Sequence, residues 1–312
     1  MFIDLLIDAI KEKDNPTVVG LDPKLDLIPQ FIKEKAFKEH GANLKGAAQA
    51  IIEFNKGLID ALYDIVPAVK PQLAYYEMYG IEGLMAFEQT VKYAKEKGMI
   101  VIADGKRNDI GTTAESYSAG FLGKTRISED VLQPVFDVDA LTVNPYLGVD
   151  GIKPFIDDCK KYQKGIFVLV KTSNKSSGQL QDILTDKGKS IYEVVAELVE
   201  EWGRSLRGKY GYSSVGAVVG ATYPNQAKIL RKEMKHAYIL VPGYGAQGGT
   251  ARDVAHSFDG EGLGAIVNAS RSIMCAYMSD NWKDQYSVEK YADASRAEAI
   301  RMRDDINSVI KT

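Results

Sequence analysis

The sequence predicts an α/β protein built as a single (β/α)8 barrel that spans residues 1–312. Eight short β-branched runs alternate with amphipathic segments along the whole chain, and most runs are continuously apolar, which is typical of parallel strands covered on both faces. No linker rich in Pro, Gly or Ser divides the chain, and 312 residues suit one barrel with insertions. Periodicity alone also permits two doubly wound halves, but the missing linker favours a closed barrel.

The predicted elements follow one another as strand and helix. The eight strands are 17–21, 65–69, 99–103, 140–143, 166–170, 215–220, 238–241 and 265–268. Helical spacing of apolar residues predicts helices over 1–10, 44–63, 81–97, 149–161, 190–207, 225–234, 251–258 and 287–312. Two long stretches, 23–43 after strand one and 173–214 after strand five, are predicted to carry extra helices, because structureless loops of that length are uncommon.

Composition and charge exclude several classes of protein. With 45% hydrophobic and 26% charged residues, the chain can bury a large core. Its net charge of -3 provides no overall positive field for nucleic acid, so any anion must be bound by a local site. No apolar run approaches the roughly 20 residues of a membrane span. Cys159 and Cys275 fit no metal spacing and indicate a reducing compartment, so we expect a cytoplasmic protein.

Polar residues at the carboxyl ends of barrel strands are the strongest candidates for catalysis. Asp104 and Lys106 follow strand three and are two residues apart, so on an extended strand they project to the same side. Asp109 follows in the loop, and Lys70 ends strand two. The four side chains predict an alternating array of ammonium and carboxylate groups, in which each lysine stays protonated and serves as a positioned acid. The alternative is a salt-bridge cluster at the barrel rim.

A phosphate site is predicted after strands seven and eight. Residues 243–249 form a glycine-rich turn that offers backbone N–H groups, and Gln247 can add two more donors. Ser270-Arg271 follows strand eight, where Arg271 provides a permanently charged, bidentate fork. A flexible turn without a ligand is the alternative interpretation.

Three other residues are weaker candidates. Asp22 after strand one could bind vicinal hydroxyls or could serve as a turn residue before Pro23. Thr172 and Ser173 could contact a polar heterocycle or cap the next helix. The three histidines lie away from strand ends, and no pair has metal-ligand spacing.

At these residues the chain resembles the orotidine 5'-phosphate decarboxylase family, and most closely its longer bacterial branch. Asp-Gly-Lys-Arg-Asn-Asp-Ile-Gly at 104–111 is similar to the family signature Asp-x-Lys-x-x-Asp, and Leu-Asp-Pro at 21–23 and Val-Lys-Pro at 69–71 are similar to the motifs of strands one and two. The resemblance extends from residue 20 to about residue 271. It implies decarboxylation of orotidine 5'-phosphate to UMP in pyrimidine biosynthesis, on a TIM barrel.

The resemblance also implies roles for the reacting end of the site. Lys106 would donate a proton to C6 of the pyrimidine, and Asp104 would face the substrate carboxylate. Lys70 would hold the charge array and the ribose. Family members are homodimers with shared active sites, so Asp109 and Thr113 would enter the partner subunit's site.

At the binding end, Asp22 would bind a ribose hydroxyl, while Gln247 and Arg271 would hold the phosphate. Ser173, together with Thr172, would contact the pyrimidine edge. The family requires neither metal nor organic cofactor. Two departures occur: Ser270 stands where the family usually has glycine, and the region from Lys171 onwards aligns loosely.

Two alternative functions come from the motifs. A metal-dependent sugar-phosphate decarboxylase of the same suprafamily shares Asp-x-Lys-x-x-Asp, although a cation at Lys70 would oppose a bound metal. A Schiff-base aldolase would need a lysine that loses its proton. A non-catalytic barrel that binds a nucleotide is the alternative outside enzymes.

Overall fold

Eight parallel strands close into a barrel in the computed structural model, which describes residues 1–245 and 248–310. Each strand pairs with the next along the chain, and the last pairs with the first, so the predicted closed barrel is confirmed. The strands are β1 (Thr17–Leu21), β2 (Ala68–Pro71), β3 (Ile100–Arg107), β4 (Ala140–Val143), β5 (Gly165–Lys171), β6 (Ser213–Val219), β7 (Ala237–Val241) and β8 (Ala265–Ala269).

Helices surround the barrel and fill the connections between strands. They are α1 (Phe2–Lys13), α2 (Gln30–His40), α3 (Leu44–Leu62), α4 (Ala74–Glu77), α5 (Gly80–Glu96), α6 (Gly111–Phe121), α7 (Val149–Tyr162), α8 (Gly178–Gln181), α9 (Ile191–Trp202), α10 (Pro224–Glu233), α11 (Ala251–Ala255), α12 (Arg271–Met274) and α13 (Tyr291–Ile310).

The extra helices lie where the sequence predicts them. After β1 the chain forms a 3-10 turn and α2, and after β5 it forms a 3-10 turn, α8 and α9. Residue types at the helix starts explain their positions: the Asn43 side chain accepts the Gly46 N–H (3.1 Å) before α3, and Pro224 opens α10.

Helix α1 packs against one end of the barrel. Its apolar face, including Phe2 and Leu6, joins a buried cluster with inward-facing strand residues such as Ile102 and Phe167. The rings of Phe2 and Phe167 meet edge to face, with centroids 6.2 Å apart. The same cluster extends up the barrel interior to Leu240, which also lines the cavity at the opposite end. The interior is therefore filled below that cavity.

Two strand ends differ from the prediction by three residues or more. The second strand begins at Ala68, not at residue 65, because the N–H groups of Ile65 and Val66 both donate to the Leu62 carbonyl and complete the end of α3. The third strand continues to Arg107, so the predicted catalytic loop is partly strand.

Helix bounds differ as well, since the helix predicted over 190–207 ends at Trp202. The helix predicted over 251–258 ends at Ala255, and a hairpin that the sequence did not predict pairs Thr125–Arg126 with Leu132–Gln133. Across residues 1–245 and 248–310, no helix combines the length and the apolar character needed to cross a membrane.

Candidate active site

A cavity of about 580 Å³ opens at the carboxyl end of the barrel strands. Its lining carries more positive than negative side chains, although the whole chain has a net charge of -3. The charged residues that line it are the cations Lys24, Lys70, Lys106 and Arg271 and the carboxylates Asp22 and Asp104. This charge balance favours the binding of an anion in the cavity.

Asp104 lies at the centre of the charged cluster. Its Oδ2 is 2.7 Å from Lys70 Nζ, and its Oδ1 is 2.5 Å from Lys106 Nζ. Gln72 Nε2 donates to Oδ2 (2.9 Å), and the Thr142 hydroxyl donates to Oδ1 (2.9 Å). Four donors thus occupy the roughly four lone-pair positions of one carboxylate.

Gln72 and Thr142 are site residues that the sequence analysis missed. Gln72 directly follows Val-Lys-Pro at the end of β2, and its position at a strand end was the signal that could have identified it. Thr142 lies inside the apolar run of β4. A single polar residue in such a buried run was the signal that could have identified it as a site residue. Their donors fix the orientation of Asp104, so the carboxylate cannot rotate away from the two ammonium groups.

The lysines control the protonation state of Asp104. Burial by itself would raise the pKa of this carboxyl, but Lys70 and Lys106 outweigh burial and hold the pKa well below its usual range. For Lys70, burial opposes the charged form, yet Asp104 and Asp22 together raise the pKa of the ammonium above its ordinary value. At neutral pH the pair is therefore fully ionised.

Lys106 has an unusual backbone conformation. Its φ is 47°, in the left-handed region, and the pairing of β3 with β4 is irregular between Ala103 and Arg107. The Lys106 N–H donates to Thr142 Oγ1 (2.9 Å), which supports this turn of the backbone. The Lys106 and Asp104 side chains lie close together, as predicted. The backbone at Lys106, however, is not the regular extended strand from which that proximity was predicted. Such outliers cost about 1–3 kcal/mol and cluster at functional sites.

Asp104→Asn should lower the free energy of unfolding at pH 7 by about 3 kcal/mol, because the buried Lys70 loses its carboxylate partner. The native pKa of Asp104 is depressed, so its stabilising contribution is fully present above the unfolded-state pKa of about 4 and is lost progressively as the pH falls from there through the lower native pKa. The deficit of the variant should therefore shrink between about pH 5 and pH 3. Urea unfolding at several pH values measures it.

The control for this experiment is Asp157→Asn, which breaks the ion pair of Asp157 with Lys153 on the surface of α7. Exposed pairs contribute up to about 1 kcal/mol, so little change is expected. An Asp104→Asn deficit that is equal at pH 7 and pH 3 would show that the carboxylate is not stabilised by its charged neighbours.

Asp22 and Ser270 lie together on the β1 and β8 side of the cavity. Burial raises the pKa of Asp22, while Lys70 and the Ser270 hydroxyl act in the opposite direction. The Oδ1 atoms of Asp22 and Asn268 are buried and have no hydrogen-bond partner among the described residues. Because both residues line the cavity, these acceptors are available to hydroxyl groups of a ligand.

Gly20 explains how the chain accommodates serine at position 270. A Cβ on Gly20 would lie 2.0 Å from Ser270 Oγ and 2.8 Å from Ser270 Cβ, so only glycine leaves room for the serine side chain. Ser270 also precedes the first residue of α12, Arg271, whose exposed side chain lines the cavity.

The glycine turn after β7 lies beside Arg271. Gly243 and Gly245 have φ values of 98° and 70°, and the Gly249 N–H donates to the Gly243 carbonyl (3.1 Å). Tyr244 anchors the turn by donating to Asp305 Oδ2 of α13 (2.6 Å). Gln247, predicted as a phosphate donor, lies outside the described residues.

Thr172 and Ser173 also line the cavity. Neither side chain caps a helix, so the alternative interpretation from the sequence is not supported.

Asp109 and Thr113 do not line the cavity of their own chain. The Asp109 carboxylate accepts the Ile110 N–H (2.8 Å), and Thr113 is exposed on α6. One chain therefore brings together Lys70, Asp104 and Lys106 but not Asp109.

Comparison with known proteins gives concordant matches. Residues 33–281 match the model of the orotidine 5'-phosphate decarboxylase / HUMPS family. The chain is 42% identical over 303 residues to the orotidine 5'-phosphate decarboxylase of Caldicellulosiruptor saccharolyticus, covering 96% of this chain and 99% of that protein. It is 43% identical over 305 residues to the protein of the same name from Rhodopirellula baltica, covering 98% of each. The structure of Leishmania donovani OMP decarboxylase is similar, with a TM-score of 0.73, 27% identity and coverage of 100% of this chain and 99% of that chain.

Proposed function

Since this chain belongs to the orotidine 5'-phosphate decarboxylase family, we propose that its cavity converts orotidine 5'-phosphate to UMP and carbon dioxide and that Lys106 supplies the proton. The chain is a carboxy-lyase of pyrimidine biosynthesis. Lys106 is proposed as the acid because its Nζ lies 2.5 Å from Asp104 Oδ1 in a cavity whose lining is mostly cationic.

The reaction requires a cation at the carbon that loses carbon dioxide. When the bond from C6 to the carboxylate breaks, its electron pair stays on C6, and no neighbouring carbonyl is positioned to delocalise it. The Lys106 ammonium stabilises this developing charge and then transfers one proton to C6. Its side chain is 45% exposed, so the neutral amine regains a proton from solvent.

Lys70 and Asp104 keep this acid in place. Asp104 accepts from both lysines, so the Lys106 ammonium is oriented before the substrate binds and little reorganisation is needed in the transition state. Asp22 binds a ribose hydroxyl through its free Oδ1. Arg271 and Gln247 hold the phosphate, which matches the positive charge at that end of the cavity.

We further propose a homodimer in which Asp109 and Thr113 enter the partner subunit's site. The positions of both residues outside their own cavity support this arrangement, and so does the charge array, which lacks its second carboxylate within one chain. Residues 1–312 act as one catalytic domain, because α1 packs against the barrel and α13 packs against α3, α11 and α12. Two buried free thiols, Cys159 and Cys275, support a cytoplasmic location.

The same contacts argue against the alternative enzymes. A metal-dependent sugar-phosphate decarboxylase needs free carboxylate oxygens, but protein donors occupy both oxygens of Asp104. The described residues include no group of three or more His, Cys, Asp or Glu side chains arranged to hold a metal. A Schiff-base lysine must be neutral, whereas Asp104 favours the charged form of its neighbour Lys70.

The proposed reaction is tested by following the ultraviolet absorbance of orotidine 5'-phosphate with purified protein. We expect loss of substrate and stoichiometric UMP, with a rate that is unchanged after treatment with EDTA. Absence of turnover would refute the proposal, and a rate abolished by EDTA and restored by Mg²⁺ would favour the metal-dependent alternative. Trapping by borohydride would instead indicate a Schiff base.

A further inference from the structure

The turn that follows β5 is held by Gln181 of the insertion helix α8. Gln181 Oε1 accepts the Thr172 N–H (3.0 Å), and Gln181 Nε2 donates to Thr172 Oγ1 (2.8 Å). The Thr172 hydroxyl in turn donates to Asn174 Oδ1 (2.6 Å). The polar groups of Thr172 are therefore committed to the protein and not to a ligand.

The loop after β6 holds the same turn from the other side. The Thr222 hydroxyl donates to the Ser173 carbonyl (3.0 Å), and the Tyr223 hydroxyl donates to the Asn174 carbonyl (3.1 Å). A Cβ on Gly220 would lie 2.7 Å from Ser173 Cβ, so glycine there allows the turn to approach closely.

An ion pair between a buried lysine and an exposed aspartate fixes α8 against the barrel. Lys171, the last residue of β5, is fully buried, and its Nζ lies 2.6 Å from Asp182 Oδ1. The ammonium also lies 4.5 Å from the centre of the Tyr223 ring and 5.5 Å from that of Tyr192. Because Asp182 follows Gln181 directly, this pair sets the position of the Gln181 carboxamide.

Ser173 differs from its neighbours in the turn. Its side chain lines the cavity and makes no hydrogen bond to another described residue. The turn thus presents one uncommitted hydroxyl to the cavity, with the backbone on both sides fixed by protein contacts.

We propose that Gln181, itself placed by the Lys171–Asp182 ion pair, is a positioning residue that aims the Ser173 hydroxyl at the pyrimidine ring. The inference rests on the proposed function, because it places the base of the nucleotide at this turn. It gives the insertion after β5 a role in recognising the base, whereas Asp22 and Arg271 bind the ribose phosphate.

The test compares two ligands, UMP and ribose 5-phosphate, which lacks the base. In Gln181→Ala the Kd for UMP should rise about tenfold, a loss equivalent to about one hydrogen bond, while the Kd for ribose 5-phosphate should stay within about twofold. Calorimetry or competitive inhibition measures both constants. Asp182→Asn should also raise the Kd for UMP relative to the Kd for ribose 5-phosphate. Gln181→Glu can still accept the Thr172 N–H, so it should recover part of the affinity for UMP.

Gln179→Ala is the matched control, because Gln179 is an exposed residue of the same short helix. It should leave both constants unchanged. Equal weakening of both ligands in Gln181→Ala would indicate general loosening and would overturn the inference, as would no change in either. Failure of the wild-type protein to consume orotidine 5'-phosphate would refute the proposed function itself. Normal wild-type turnover, together with an unchanged ratio of the two Kd values in Gln181→Ala, would refute only the role of Gln181.

Discussion

Lys106→Ala is expected to abolish formation of UMP, with kcat lowered on the order of 10⁴-fold or more. The variant removes both the cation that stabilises charge at C6 and the proton that neutralises it. UMP carries no carboxylate at C6 and is held mainly at its ribose and phosphate, so its Kd should change only a few-fold. Single-turnover assays with orotidine 5'-phosphate, together with titration of UMP, measure the two effects.

Lys153→Ala is the control for this variant, because Lys153 is an exposed lysine of α7 that pairs only with Asp157 among the described residues. Its kcat/KM should equal that of the wild type. Turnover by Lys106→Ala within tenfold of the wild type would exclude Lys106 as the acid. A parallel loss of UMP binding would instead indicate that the cavity had collapsed.

Arg271→Ala is expected to lower kcat/KM about 10²–10³-fold with little change in the melting temperature. The side chain is exposed at the start of a four-residue helix, so its removal leaves the core intact. Loss of a charge-assisted, bidentate contact to phosphate weakens the transition state, because binding energy remote from C6 contributes to catalysis. Steady-state kinetics and thermal unfolding measure the two quantities.

Guanidinium ion added to Arg271→Ala should restore part of the activity, since it can occupy the space that the side chain leaves. Arg252→Ala, which removes an exposed arginine of α11, serves as the control and should behave as the wild type. An unchanged kcat/KM in Arg271→Ala would refute the phosphate role of this residue.

The barrel could be predicted because its strands are buried on both faces. Such strands are continuous apolar runs, so β1 and β4 are found with the predicted bounds. Boundaries were less predictable where neighbouring elements compete for the same backbone groups. The end of α3 captures Ile65 and Val66, which the apolar pattern assigned to the second strand.

The candidate site was predictable only in part. Lys70, Asp104 and Lys106 follow predicted strands and were identified by that position, and the structure brings them together. Gln72 and Thr142 were missed because their importance depends on the neighbour that each reaches across the sheet. The left-handed conformation of Lys106 left no sequence signal, since glycine is the residue expected at such a φ.

By itself the sequence determined the order of strands and helices and the residue types at the strand ends, because hydrophobic periodicity and turn residues are local properties of the chain. Only the tertiary structure decided which of those side chains share hydrogen bonds. Asp104 is saturated by donors from β2, β3 and β4, and Gln181 reaches Thr172 from an insertion that aligned loosely. These contacts depend on barrel closure and on burial, which set distances and charge states between residues far apart in the chain.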